Sequence, residues 1–410
     1  MTGIFGGGFE TLEDRTLLAA GVLSATGTLT VTGTSNPDDI DISGGNLGAV
    51  TLTVNGVEQS WASGVKNIVV NAGGGSDTVE IYDVNLAGNV TVNGGSGNDQ
   101  IFIYSGATAG GTEKEVSLLA IPQNNDTYIG GKVTLNGGTG NDVIEIGNIQ
   151  PTSEMSLETN GGGGVVGGQL TIVGAVTMNG DAGNDRLAIE AYSYSDSYLM
   201  TDSSEGLNPS DTIPVASAGV STGAVTMNGG NGNDDLRIYA GGMNSDITIN
   251  GFAKLYGGIG EDDLHVGTGG SYQSADNDIS ISGQLLMDGG SNDDQISIEN
   301  VANNVAPATV AKVLYQSTVV AGSLLVQAWG GNDEIEAHGA TVLGNAIIWG
   351  GEDNDKFCAE NNTVKGDLYL NGWFGSDAAY ANGNSVSGST TIQFIESFPN
   401  KCPIEEYLPG

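Results

Sequence analysis

The stretch Asn93-Gly94-Gly95-Ser96-Gly97-Asn98-Asp99-Gln100-Ile101-Phe102-Ile103 decides the fold, because versions of it recur along the chain and its aspartate fixes their alignment. Asp38, Asp77, Asp99, Asp142, Asp185, Asp234, Asp262, Asp294, Asp333, Asp355 and Asp377 align with no gap inside the loop. The steps between them are 39, 22, 43, 43, 49, 28, 32, 39, 22 and 22 residues. A step of 22 that recurs and is never undercut is the length of one structural unit, and the longer steps carry insertions. The chain is therefore a repeat protein, in which each unit contacts only its neighbours.

Each regular unit holds three short apolar-alternating segments. One unit runs Val84 to Gly88, then Asn89-Val90-Thr91-Val92, then the loop to Asp99, then Ile101-Phe102-Ile103. The order repeats at Thr363 to Gly366, Asp367 to Leu370 and the loop Asn371 to Asp377. Strands this short find no partners within one unit, so their backbone groups must pair with the units above and below. The prediction is an all-β fold, a right-handed parallel β-helix (solenoid) with about three short strands and ~22 residues per coil. The extra residues of the long steps, Ser105 to Thr127, Asn148 to Gly168, Ala191 to Thr222, Gly267 to Asp276 and Val301 to Gln316, all leave one corner. The two 43-residue steps also leave room for a degenerate extra coil each.

The expected organisation is an N-terminal segment over residues 1–22, a solenoid over 23–396 and a C-terminal tail over 397–410. Within it, Val50 to Trp61 reads as a hairpin turning at Asn55-Gly56 and covering the front of the stack. Pro399, Pro403 and Pro409 forbid further ladder in the tail. Cys358 lies on a third strand in the outward phase, so a folded-back tail can bridge it to Cys402, two free thiols being the alternative.

Lys and Arg number 11 against 49 Asp and Glu, a formal net charge of −38. Nucleic acid and anionic lipid are excluded as partners by that balance, and divalent cations are favoured. No apolar run is long enough for a membrane span. Met1 to Gly8 contains neither the basic n-region nor the apolar h-region of an ordinary secretory signal.

The loops Gly94 to Asp99, Gly137 to Asp142 and Gly229 to Asp234 resemble the G-G-x-G-x-D-x-U-x repeat of RTX-type calcium-binding β-rolls, with one loop per coil here instead of two. The resemblance implies Ca2+ as the bound ion, with Asp77, Asp99, Asp142, Asp185, Asp234, Asp262, Asp294, Asp333, Asp355 and Asp377 as its ligands. Glycines let such loops turn with positive φ and aim carbonyls inward, while the aspartate supplies charge, a combination suited to a hard cation. Carboxylates stacked ~4.8 Å apart repel by roughly 1–3 kcal/mol per adjacent pair, which a counter-ion offsets. A solvated ladder in which the Asn93, Asn136, Asn179 and Asn228 amides bond coil to coil is the alternative. The weak loops are expected to be Gly33 to Asp38, Gly289 to Asp294 and Ala328 to Asp333, where the pattern slips.

Leu12-Glu13-Asp14-Arg15-Thr16-Leu17-Leu18 resembles the LE-x-R-x-LL signature near the N-termini of planctomycete exported or surface proteins. That resemblance implies an extracellular or cell-surface location. Trp329, Trp349 and Trp373 fall in the last three loops, either packed against insertions or presented to sugars or a partner subunit.

Catalytic patterning is thin. His265 and His338 lie on different coils, and Arg186, Arg237 and Lys356, the lyase-type candidates, read better as ion-pair partners of Asp185, Asp234 and Asp355. The expected function is thus a calcium-stabilised structural or adhesive protein and not an enzyme, a polysaccharide-binding or lyase-like protein being the alternative. Unpaired strand edges at the ends of a rod recruit other strands. Docking of the N-terminal segment on another copy's last coil would give a head-to-tail filament, whereas two effective caps would give a monomer.

Overall fold

Alternating side chains become alternating burial. In Val90–Ser96 the valines and Gly94 are buried, Thr91, Asn93 and Gly95 are half-buried, and the same phase holds in Val133–Thr139 and Val225–Asn231. The computed structural model describes residues 20–45, 48–105, 126–148, 168–193, 218–242, 245–269, 277–300 and 318–402. Among these residues the fold is all-β, with parallel strands stacked into two long sheets as in a β-solenoid.

The 13-stranded sheet collects the strands that follow each loop, from Asp39–Gly44 through Gln100–Tyr104 to Ala378–Asn382. The 21-stranded sheet collects the loop-entering strands such as Val90–Ser96 and the short strands before them, such as Asn85–Leu86. Asp278–Ser291 and Thr318–Gly330 run through both of those positions and join them into one sheet. A continuous apolar core runs between the sheets from Leu29 to Ala379, including Ile101, Ile103, Leu135, Met178, Leu236 and Phe357. Each such side chain contributes roughly 1.5–3 kcal/mol by leaving water.

Direct register answers the question of hidden coils. Asn93 pairs with Asn136 and Gln100 with Val143, and Val143 in turn pairs with Arg186, so neither 43-residue step interposes a coil. The chain leaves after Tyr104, Gly147, Ser193, Thr268 and Asn300 and returns at Thr127, Gln169, Ala218, Asp278 and Thr318, always between the same two strand positions. The bodies of those insertions, the 1–19 segment with its Leu12 to Leu18 signature, and residues 403–410 lie outside the described residues.

Both ends carry added elements. At the front, Ala20–Leu23 pairs antiparallel with Thr28–Thr32, and the hairpin Val50–Val54 with Val57–Trp61 lies antiparallel on Asp39–Gly44, as its Asn55-Gly56 turn predicts. At the back the tail folds over the last coil. Cys402 is disulfide-bonded to Cys358, and Ser397 bridges to Ala378.

Candidate metal centre: the aspartate ladder

Every loop from that of Asp77 onward turns at two left-handed positions, four and two residues before its aspartate, whereas the Asp38 loop has no left-handed residue there. Gly95 (φ 117°) and Gly97 (φ 126°) serve Asp99, and Gly138 (113°) and Gly140 (125°) serve Asp142. The curl folds the aspartate side chain back beneath its own loop, so all eleven aspartates are at most 3% exposed. They form one ladder. The N–H of each donates to Oδ1 of the aspartate one coil further on, ten times in succession from Asp38 to Asp377, at 2.7–3.1 Å.

A ladder of this polarity leaves a bare acceptor at its first rung and a bare donor at its last. The protein closes both. Asn55 Nδ2, from the hairpin turn, donates to Asp38 Oδ1 at 2.6 Å, and Asp377 N–H donates to Glu396 Oε2 in the tail at 2.8 Å. Sequence reasoning missed both residues, since neither belongs to the repeat.

The second carboxylate oxygen distinguishes Asp38 from the rest. Asp38 Oδ2 accepts the Thr34 N–H at 2.6 Å. Oδ2 of Asp77, Asp99, Asp142, Asp185, Asp234, Asp262, Asp294, Asp333, Asp355 and Asp377 is buried and finds no hydrogen-bond partner. A buried orphan acceptor costs about 1–3 kcal/mol unless something partners it. These ten are the residues expected from the sequence to ligate calcium.

Glycine five residues before the aspartate lets Oδ2 pack close against the loop backbone, where a side chain would otherwise stand. A Cβ placed on Gly94 would lie 2.5 Å from Asp99 Oδ2 and 2.7 Å from the Gly137 carbonyl oxygen of the next coil. The same two kinds of oxygen converge at Gly180 and Gly229. That point lies one bond length from the glycine Cα, so the distances show why the position takes only the smallest residues; separately, the partnerless carboxylate oxygen and the loop carbonyls are the oxygen types a hard cation takes. Ala72 and Ala328 carry a methyl at this position, both fully buried, in the loops of Asp77 and Asp333. The Ala328 loop was anticipated as irregular, and the Ala72 loop was overlooked because its remaining glycines conform.

Burial is the first cause of the carboxylates' raised pKa values, ahead of mutual repulsion, which corrects the electrostatic emphasis of the sequence reading. It pushes Asp77 and Asp142 up to about 6 and Asp185, Asp262 and Asp333 to about 7. Asp294 and Asp355 reach about 8, and Asp99, Asp234 and Asp377 move in the same direction. The N–H bond to Oδ1 opposes the shift in every case, and in most of them neighbouring carboxylates add to it. Outside the loop interior, the Asn71, Asn93, Asn136, Asn179 and Asn228 amides bond coil to coil at 2.6–2.8 Å, as the alternative reading anticipated.

The basic residues do not pair with the ladder. Arg186 bonds Glu145 and Glu190, Arg237 bonds Asp235, and Lys356 bonds Glu334. The expected partners Asp185, Asp234 and Asp355 face inward and are out of their reach, because the loop curl reverses the direction of those side chains. His265 is half-buried, with Nδ1 2.7 Å from Ser297 Oγ, and its pKa falls to about 4, first by desolvation and then by Arg237. His338, Cys358 and Glu360 cluster, but the Cys358 sulfur is committed to Cys402. Trp329, Trp349 and Trp373 stand 43%, 39% and 46% exposed on the loop edge.

In comparisons with known proteins, no family model, no curated protein and no solved structure matches the chain.

Proposed function

We propose that this protein is an extracellular or cell-surface structural rod, a right-handed three-sided β-helix of about 22 residues per coil whose loop edge is braced by calcium. The observation that carries the reading is the row of ten buried Oδ2 atoms without partners. Asp77 to Asp377 would hold the ions, with loop carbonyls of the adjacent coil completing the oxygen set. Asp38 is left out of the row because Asn55 and Thr34 already satisfy it.

A protonated ladder is the competing state, favoured by the pKa values of about 6 to 8. Metal ligation requires the deprotonated form, so proton and ion exclude each other at each rung. The two states predict different pH behaviour. Chelated protein at pH 8 should gain melting temperature on addition of millimolar calcium, and the gain should vanish near pH 4. No rise at pH 8 would sink the calcium reading.

The role we infer is mechanical rather than enzymatic. Arg186, Arg237 and Lys356 are held in ion pairs with neighbouring carboxylates. End-to-end assembly into a fibre belongs to the same reading, through the outer edges of Val57–Trp61 and Thr390–Gln393 and not through the ladder, whose termini Asn55 and Glu396 close.

A further inference from the structure

The position four residues before the ladder aspartate is glycine with φ between 107° and 131° in the loops of Asp77, Asp99, Asp142, Asp234, Asp262, Asp294 and Asp355. In the loops of Asp333 and Asp377 it is Trp329 (φ 75°) and Trp373 (φ 76°). A bulky side chain in left-handed backbone is strained, and glycine relieves that strain in the seven loops above, while Asp181 (φ 75°), a residue type that tolerates this region, holds the position in the loop of Asp185. Core packing does not explain the substitution, because both indoles stand more than two-fifths exposed. The strain maintains an aromatic surface.

That surface is ordered. Trp329 pairs in register with Gly351 and Gly351 with Trp373, so the two indoles are two coils apart, ~9.6 Å along the rod. Trp349 lies on the coil between them, beside Gln327 and Asn371. The Trp329 side chain lies close enough to the Asp288 carboxylate to oppose the burial-driven rise of its pKa, and the Trp373 ring stacks on Phe374 with centroids 5.3 Å apart. The Trp373 ring is therefore oriented by its neighbour before any ligand arrives. Phe374, 60% exposed, extends the apolar surface.

We propose that the loop edge of the last three coils is a binding platform for an extended neutral polysaccharide. Indole faces stack on the C–H faces of pyranose rings, and the two-coil spacing is comparable with a disaccharide repeat of an extended glycan. Gln327 and Asn371 lie in register with Trp349, and Glu352 in register with Phe374, and together they supply the mixed donors and acceptors that hydroxyls need. The net charge of −38 opposes an anionic glycan, and it equally opposes a second copy of this chain on the same face.

The test is affinity electrophoresis of the full chain, with calcium present, in gels containing hydroxyethylcellulose, glucomannan or hyaluronate. Retardation is expected in at least one neutral gel and not in hyaluronate. Trp329→Gly and Trp373→Gly together should weaken retardation about tenfold or more, while the melting temperature stays unchanged or rises. Trp349→Ala should weaken it separately. Lack of retardation in both neutral gels, equal retardation of the variants, or a marked loss of melting temperature in the glycine variants would each overturn the platform. Self-association in sedimentation that the variants abolish, without glycan retention, would assign the face to a second copy and overturn it too.

Discussion

The loops of Asp99, Asp142 and Asp234 and the loops of Asp333, Asp355 and Asp377 share one backbone course and one internal hydrogen-bond ladder, yet present opposite surfaces. The first group shows Gly, Ser, Thr and Asn to solvent, and the second shows three tryptophans and a phenylalanine. What is held constant is what faces inward: the aspartate, the small residue five before it and the positive-φ corner two before it. A solenoid loop thus separates a structural inner side from an outer side free to vary, within the conformational limits of the backbone.

The sharpest way to break that equivalence is at the inner side of the middle loops. Gly183 has φ 144°, and a Cβ there would approach the Gly140 carbonyl oxygen to well inside contact distance. Gly183→Ala should destabilise by more than about 3 kcal/mol, combining backbone strain with a clash against fixed main chain. Gly330→Ala, on the outer side of an aromatic loop with nothing within 4 Å, should change stability by less than about 0.5 kcal/mol. Thermal unfolding of the two variants measures the contrast. Similar losses in both would deny the inner and outer division.

Removing a rung comes next. Asp142→Ala deprives the Asp99 N–H of its acceptor and should cost about 1–3 kcal/mol, whereas Asp142→Asn keeps an oxygen for that bond and should cost less in chelated protein. In calcium the order should narrow, since both variants lose the charged ligand.

The pH response sharpens the comparison along the rod. From Asp77 to Asp377 the ladder carboxyls have folded pKa values above the ordinary 3.8, so the folded state holds protons that the unfolded chain releases. In chelated protein that stabilisation is fully present below about pH 4 and is lost as pH rises through the folded values. The loss should end near pH 6 around Asp142 but continue to about pH 8 around Asp294 and Asp355. Hydrogen exchange of loop amides at pH 5, 6.5 and 8 reads this coil by coil, and uniform exchange across the rod would contradict it.

The smallest effect is expected at the closures. Asn55→Ala and Glu396→Ala should each cost about 1 kcal/mol, felt locally as faster exchange at the first or last rung. Exchange unchanged at Asp377 in the Glu396 variant would show that the tail is held by the disulfide alone.

The amino-acid sequence by itself determined the repeat, the stacking of parallel strands, the hairpin at Val50 to Trp61 and the repeat position of the ten aspartates whose Oδ2 is buried without a partner. Periodicity, turn chemistry and the alternation of apolar residues are local, and a one-dimensional stack copies local rules from coil to coil. Only the tertiary structure decided where the aspartates point and what meets them. The direction of the Asp99 side chain depends on the positive φ of Gly95 and Gly97 acting together. Its Oδ1 is satisfied from Asp77, 22 residues earlier in the chain, and Asp99 in turn satisfies its own N–H on Asp142, 43 residues later. Asn55 and Glu396 lie outside the repeat, so no periodic reading reveals them; they become visible as caps once the chain has folded them onto the two ends of a ladder whose polarity leaves one acceptor and one donor bare.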